Sequence, residues 1–426
     1  MTYEEALQYI HAVSWKGSRP GLSRITELMR RLGDPQNGLK YVHIVGTNGK
    51  GSTAAMLSSV LTRAGYRTGL FISPYVVDFR ERMQICGEMI GREELAAFTE
   101  RVRPFAETME DLPTEFELIT AIALCWFAAR RCDIVILEAG MGGEFDATNV
   151  IPAPEAAVIT NVGLDHTEYL GPTVEAIAET KSGVIKPGCD AVAYPNPPSV
   201  LEVLARRCLE RGASLTVADP DRLQLLSRSL AGQRLRFGAL ELELPLLGEH
   251  QIRNAAVVLT VIERLRGRGF AIPDEAVQDG IAAVRWPGRF ELLGRDPLFV
   301  LDGGHNPQCM EALLQAAEDY LAGKRLTVVT GVLADKDYAS MYDRMAPLAE
   351  RFFTLTPPNP RALPGEALAE WLRRYGKPVE ACQSAREAVD KALAAAPKDG
   401  AVLCFGSLYL ASELRAAYLE RRAGDR

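Results

Sequence analysis

Residues 42–53, Val42-His43-Ile44-Val45-Gly46-Thr47-Asn48-Gly49-Lys50-Gly51-Ser52-Thr53, constrain this chain more than any other stretch. A short apolar run ends in a loop of glycine, threonine and asparagine. A lysine and two hydroxyl residues follow, and residues 54–61 read as a helix. Strand, glycine-rich loop, lysine and helix is the context of a phosphate-binding P-loop. Backbone N–H groups at the start of such a helix lack intrahelical partners, and the helix dipole is positive there, so an anion is favoured. Lys50 adds a full charge, and Ser52 or Thr53 can face a phosphate or a bound magnesium ion. The spacing departs from G-x-x-x-x-G-K-[ST]: Gly46 lies closer to the lysine, and Gly51 separates Lys50 from Ser52. A plain glycine turn explains the glycines but not a lysine placed where a phosphate needs it.

The bulk of the chain is that of a globular protein. Its 426 residues suggest two or three domains. A hydrophobic fraction of 47% with 24% charged residues is enough for a real core. The net charge of −7 argues against a nonspecific grip on nucleic acid, though not against small polyanions in a local basic pocket. The acidic start, Met1-Thr2-Tyr3-Glu4-Glu5, is no signal peptide. No apolar run has the length of a membrane span, so no membrane partner and a cytoplasmic location are expected. The eight cysteines form no C-x-x-C pair, and Cys125, Cys189 and Cys404 sit in apolar runs. Buried reduced thiols are expected rather than a zinc site or disulfide frame.

In chain order, helices are expected over 3–13 and 21–32, with a polar loop over 14–20 between them. Residues 67–72 read as a strand ending at Ser73-Pro74, 84–90 as another, and 92–107 and 115–130 as helices. Residues 133–138 are an apolar strand closed by Glu138, the shape of a Walker-B-type ligand. Gly140, Gly142 and Gly143 then let the backbone approach a ligand. Residues 157–161 form a further strand, followed by His166. Ser73, Glu138 and His166 thus lie past strand ends on one rim above the P-loop, where open α/β sheets bind ligands. Hydroxyl, carboxylate and imidazole with substrate oxygens suit a divalent cation. A helix over 173–185 carries Lys181, strand-like pieces at 221–246 suggest a small antiparallel appendage, and a long helix runs to about Arg266. Trp286-Pro287-Gly288-Arg289-Phe290-Glu291 breaks the pattern, and a new strand–helix series follows. The expected architecture is α/β: a P-loop NTPase-like N-terminal domain over 1–285 with a mostly parallel sheet, a linker over 286–295, and a smaller α/β C-terminal domain over 296–426.

Several motifs follow one another in order: Gly46-Thr47-Asn48-Gly49-Lys50-Gly51-Ser52, Ser73-Pro74, Glu138-Ala139-Gly140-Met141-Gly142-Gly143, Asp146-Ala147-Thr148-Asn149 and Thr160-Asn161-Val162-Gly163-Leu164-Asp165-His166-Thr167. Glu179-Thr180-Lys181-Ser182-Gly183, Gly248-Glu249-His250-Gln251-Ile252-Arg253-Asn254, Pro287-Gly288-Arg289-Phe290-Glu291 and Asp302-Gly303-Gly304-His305-Asn306-Pro307 complete the set. This ordered set covers nearly the whole chain and resembles the folylpolyglutamate synthase/dihydrofolate synthase family of the Mur ligase group, whose own P-loop form is G-T-N-G-K-G-S. The resemblance implies an ATP- and Mg2+-dependent amide ligase. It joins a carboxylate of dihydropteroate or a reduced folate to the amine of L-glutamate through an acyl phosphate.

By the same resemblance, residues Gly46, Thr47, Asn48, Gly49, Lys50, Gly51 and Ser52 hold ATP, with Asn254, Arg289, Asp302 and His305 as further ATP contacts. Arg289 reaches the phosphates across the domain cleft, and closure of the second domain excludes water. Ser73, Glu138 and His166 hold magnesium, and Lys181, if carbamylated, meets a second ion. Leu22, Ser23 and Arg24, with Glu115, Phe116 and Glu117, correspond to the pterin pocket. Lys50, His166, Lys181 and Arg289 are the implied catalytic residues. The expected partners are these small molecules alone, and the chain is expected to be a monomer. Glu144 stands where the family often has Arg, Tyr75 where many members have His, and Gly304 where Ala is common. Glu144 and Tyr75 are therefore positions able to alter substrate choice.

Two rivals share part of this pattern. A ligase acting on another carboxylate acceptor, of the muramyl type, has a nucleotide-binding domain before its P-loop; only 45 residues precede Gly46, too few for one. A P-loop switch or scaffold needs neither Lys181 nor a second domain carrying Arg289 and Asp302.

Overall fold

The computed structural model describes residues 1–13, 17 and 19–424. Most of the polar loop expected over 14–20, namely 14–16 and 18, lies outside the described residues, as do the last two residues of the charged tail.

The chain forms two compact units. The first comprises Met1–Gln224, Arg236–Glu243 and Ile252–Val284; the second comprises Leu225–Leu235, Leu244–Gln251 and Arg285–Arg426. The first unit is built on strands β1 (Tyr41–Val45), β2 (Thr68–Phe71), β3 (Met83–Ile85), β4 (Glu88–Met89), β5 (Ile134–Glu138), β6 (Ala156–Ile159), β7 (Asp190–Ala193) and β8 (Ser214–Val217). Their spatial order is β4-β3-β2-β5-β1-β6-β7-β8. From β2 to β8 every neighbouring pair is parallel, while β3 and β4 add an antiparallel edge. The run expected as one strand over 84–90 is thus a hairpin. Its turn is at Cys86 and Gly87, both in the left-handed region at φ 52° and 85°.

β1 lies where the strand order reverses, with β2 and β5 on one side and β6 to β8 on the other. Open parallel sheets bind ligands at such a point, beyond the carboxyl ends of the strands. The strands carry few polar residues because helices cover both faces. One face packs against helices Ser23–Arg31 and Glu115–Ala129, with Val135 and Leu137 contributing from β5. The other packs Val45, Ala157 and Ile159 against Ile177, Val184 and Leu204. Helix Glu115–Ala129 starts at a capping box, Thr114 with Glu117, and buries nearly all its remaining length.

Residues 221–246 do not extend the main sheet. They form a separate three-stranded sheet of β9 (Leu223–Ser229), β10 (Gly232–Phe237) and β11 (Leu240–Leu244), in the order β11-β10-β9. The second unit carries β12 (Glu291–Arg295), β13 (Leu298–Leu301), β14 (Leu326–Thr330), β15 (Ala349–Thr354), β16 (Val379–Ala381) and β17 (Ala401–Phe405), ordered β12-β13-β17-β14-β15-β16. All its neighbours are parallel except β12 on β13. The stretch expected as a linker over 286–295 therefore ends in an edge strand of this sheet. Its carboxylate Glu291 is held there by Arg415, Nη2 to Oε1 at 3.0 Å. Among the described residues no helix is long and apolar enough to cross a membrane. All eight cysteines are free and six are buried; burial pushes the Cys125 thiol up to about 11.

Candidate active site

The loop after β1 is held by the loop after β6. Thr160 Oγ1 lies 2.8 Å from the Asn48 carbonyl and 3.1 Å from that of Val45. Thr47 N–H donates to Asn161 O at 2.7 Å, and its hydroxyl pairs with the Gly163 backbone at 3.0 Å. Two glycines are required by close approach. A Cβ on Gly46 would lie 1.8 Å from Thr160 Oγ1, and one on Gly49 would lie 2.6 Å from Asn254 Oδ1. Gly49 also caps helix Lys50–Arg63 at φ 87°, a conformation that favours glycine. The loop is therefore shaped by packing as well as composition, and Asn254 is placed beside it.

Two lysines converge on one carbonyl of this loop. Lys50 Nζ donates to Gly46 O at 3.1 Å and Thr47 O at 3.3 Å. Lys181 Nζ donates to Gly46 O at 2.9 Å from a buried position on helix Val174–Ser182. Burial first, then the neighbouring Lys50 charge, pushes the Lys181 amine down to about 7; Asp165 and Asp146 oppose this. A lysine so placed holds an appreciable neutral fraction near pH 7, which an exposed lysine does not.

At the end of β5, buried Glu138 accepts from Ser73 N–H at 3.2 Å through Oε2. The Ser73 hydroxyl accepts from Arg82 Nη1 at 2.9 Å. Arg82 also lies over the rings of Tyr75 and Phe79, 5.2 and 5.7 Å from their centroids. Sequence reasoning passed over Arg82, which stands among Asp78, Arg80 and Glu81 and reads as part of a solvated charged run. His166 lies beyond β6 in an exposed left-handed conformation, φ 51°. The structure thus joins Ser73 to Glu138 directly and leaves His166 on the rim. Among the described residues no three His, Cys, Asp or Glu side chains cluster as a metal set. The hydroxyl and carboxylate beside a P-loop nevertheless fit Mg2+, which typically takes one or two protein carboxylates and completes its shell with phosphate oxygens and water.

The expected pterin residues divide. The Phe116 ring packs where a Cβ on Gly140 would come within 2.8 Å of it, so it borders the glycine loop after β5. Leu22 is half-buried and Ser23 exposed, and Glu115 accepts from His11 Nδ1 at 2.9 Å. Arg24 and Glu117 are buried with each other, Nε to Oε2 at 3.0 Å. Glu117 Oε2 also accepts from Thr114 N–H at 2.7 Å. That pair ties helix Ser23–Arg31 to helix Glu115–Ala129. Glu117→Leu removes the buried carboxylate from the guanidinium and leaves it the exposed Asp111 at 3.3 Å and the Arg19 carbonyl at 2.5 Å. It is expected to cost about 3 kcal/mol, read as a lower urea midpoint at unchanged slope. A rise in substrate KM with unaltered stability would instead make Glu117 a ligand contact.

The second unit gathers its own polar cluster. Asp302, past β13, accepts from Phe290 N–H at 2.8 Å and Gly304 N–H at 2.6 Å. Arg289 Nη1 donates to Gly288 O at 3.1 Å, and a Cβ on Gly303 would lie 2.6 Å from that nitrogen. His305 Nδ1 donates to Gly303 O at 2.9 Å. His250, to which sequence reasoning gave no role, is buried in the field of Asp302 and Arg289; burial pushes its imidazole down.

Comparison with known proteins agrees with this arrangement. The Mur ligase middle domain matches residues 44–262, and the glutamate ligase domain of Mur ligases matches residues 288–408. The chain is 38% identical to the dihydrofolate synthase/folylpolyglutamate synthase of Bacillus subtilis, over 84% of this chain and 86% of that protein. The Mycobacterium tuberculosis folylpolyglutamate synthase solved with ADP and AMPPCP is 32% identical. It superposes with a TM-score of 0.87 over 98% of this chain and 99% of that one. Escherichia coli FolC, solved with DHPP and ADP, is 30% identical with a TM-score of 0.86 over 99% of both chains. A P-loop gripped by Thr160, a strand-end carboxylate on Ser73 and a buried lysine on the loop carbonyl therefore sit in the first unit of an ATP-dependent ligase: the chain belongs to the folylpolyglutamate synthase/dihydrofolate synthase family of Mur ligases.

Proposed function

We propose that the protein attaches L-glutamate to dihydropteroate, to reduced folates, or to both, with ATP converted to ADP and phosphate. The observation that carries this reading is the convergence of Lys50 and Lys181 on Gly46 O, at the carboxyl edge of a sheet that also presents Ser73 and Glu138. A carboxylate is a poor acyl donor because its leaving group would be oxide. Transfer of the γ-phosphoryl group to the carboxylate oxygen gives an acyl phosphate. The glutamate amine then attacks the carbonyl carbon, phosphate leaves with the bonding pair, and the amine gives up a proton.

The protein's work is to position the phosphates and neutralise their charge. The N–H groups opening helix Lys50–Arg63 and the Lys50 ammonium serve the phosphates of ATP. Mg2+ would be held by Ser73 and Glu138, with His166 on the rim, and would supply charge stabilisation at the phosphates. Lys181 is proposed to be carbamylated, turning a buried cation into an anion able to meet a second ion. Gly46, Thr47, Asn48, Gly49, Gly51, Ser52 and Asn254 of the first unit are proposed as ATP contacts, as are Arg289, Asp302 and His305 of the second. Leu22, Ser23, Arg24, Glu115, Phe116 and Glu117 are proposed to border the pterin, the Arg24–Glu117 pair bracing that wall. The protein is proposed to act as a cytoplasmic monomer.

The test is ADP release by purified protein with ATP and magnesium. Release is expected to require both a pteroate acceptor and L-glutamate. Turnover indifferent to both would support a nucleotide switch and overturn the ligase reading.

A further inference from the structure

A buried histidine lies in β1, two strand residues short of the loop that opens at Gly46, and the mechanism above does not use it. His43 is in the middle of β1, paired in register with Leu137 of β5 and Ala157 of β6, and has no solvent exposure. Its Nε2 lies 2.9 Å from Thr148 Oγ1. Thr148 Oγ1 is in turn hydrogen-bonded to Asp146 Oδ1 at 2.5 Å, and that carboxylate also accepts from Thr148 N–H at 3.0 Å and, through Oδ2, from Met141 N–H at 2.8 Å.

The direction of the chain follows from counting protons. A hydroxyl has one proton to give. Burial pushes the Asp146 carboxyl up, but both its oxygens take backbone N–H bonds, Oδ1 from Thr148 and Oδ2 from Met141, and these hold it as the acceptor. Thr148 therefore donates to Asp146, and its oxygen must accept from His43. That requires the proton on Nε2 and leaves Nδ1 bare; Nδ1 is buried with no partner. Burial, with the Lys186 charge adding to it, holds the imidazole down at about 3, so it stays neutral through the working range.

The far end of the chain reaches the reaction. Asp146 holds the loop that carries Gly140 to Gly143. A Cβ on Gly143 would lie 2.8 Å from Lys181 O, and Glu144 N–H donates to Thr180 O at 2.8 Å. The same loop follows directly on Glu138. We propose that His43, as a neutral Nε2–H donor, is a positioning residue that orients Thr148 and Asp146 and so fixes the glycine loop between Glu138 and the helix bearing Lys181.

Histidine-specific 15N labelling of the full chain tests the first half without reference to activity, so it stands or falls apart from the ligase reading. One of the five histidines, identified by its loss in His43→Gln, is expected to show a protonated Nε2 and a bare Nδ1, unchanged across the neutral pH range. An Nδ1–H tautomer, or titration near the ordinary histidine value, overturns the proposal. The second half, which rests on the ligase reading, is read in turnover. Thr148→Val keeps shape but removes the hydroxyl, and is expected to lower kcat roughly 10-fold with KM for ATP little changed, the scale of supporting-shell losses. Thr148→Ser and His43→Gln, which keep the donor and acceptor, are expected to retain most of the turnover, and His43→Leu is not. Equal losses in His43→Gln and His43→Leu, or Thr148→Val matching the parent, overturn the positioning role.

Discussion

Lys50→Ala is expected to abolish most ligase turnover, by roughly 10²–10³-fold, the loss typical of removing one well-placed donor to transition-state charge. The fold should survive. The Lys50 ammonium donates to two loop carbonyls, Gly46 and Thr47, and the side chain is half-buried. The loop itself is held by Thr160, Asn161 and Gly163, which the substitution leaves in place. A melting temperature within about 2 °C of the parent is expected, since less than 1 kcal/mol of packing is at stake. Near-normal turnover would mean that the phosphates are bound elsewhere. The substitution also removes the second largest influence on Lys181, the Lys50 charge that pushes its amine down. Lys181 is then expected to hold its proton to higher pH.

The second large effect concerns that lysine. Carbon dioxide reacts with a neutral amine, and Lys181 sits near pH 7 where an ordinary lysine would be almost wholly protonated. The amine of Lys181 is neutral above its folded value and charged below it. At fixed dissolved carbon dioxide, carbamylation should therefore rise as pH passes about 7 and fall below it. Enzyme exchanged into carbon-dioxide-free buffer is expected to lose turnover and to regain it with bicarbonate, and 13C-bicarbonate should give one carbonyl signal that is absent in Lys181→Gln. Turnover of that variant should fall by about 10² or more, because a neutral amide cannot form the carbamate proposed to meet a metal ion. Full activity in carbon-dioxide-free buffer, with no labelled carbamate, would return Lys181 to a structural hydrogen bond on Gly46.

Local features of this chain were legible in its sequence, and long-range contacts were not. The P-loop, the strand-closing Glu138 and the strand–helix alternation are written in adjacent residues, and the structure places them on one sheet edge. Arg82 was missed because its significance comes from Ser73 and Tyr75 rather than from its charged neighbours. In the sequence His43 is one residue of an apolar run; only the return of the chain at Thr148 gives its nitrogen a partner. Arg24 and Glu117 stand in stretches that the family resemblance assigns to a pterin pocket, and their mutual ion pair joins positions 93 apart in sequence. The edge strand β12 reads as linker in the sequence because the Pro287-Gly288 break precedes it, and its pairing with β13 cannot be seen from composition. The three-stranded sheet shows the same limit. Short alternating segments announce strands but not which sheet they join.

The most direct test of the whole account is the mass of the product. Purified protein is supplied with ATP, magnesium and L-glutamate, and is offered dihydropteroate or a reduced folate separately. At least one acceptor is expected to gain a glutamyl residue, with one ADP formed for each residue added. ADP formed without any gain in acceptor mass, or an acceptor extended without ATP consumption, would contradict it.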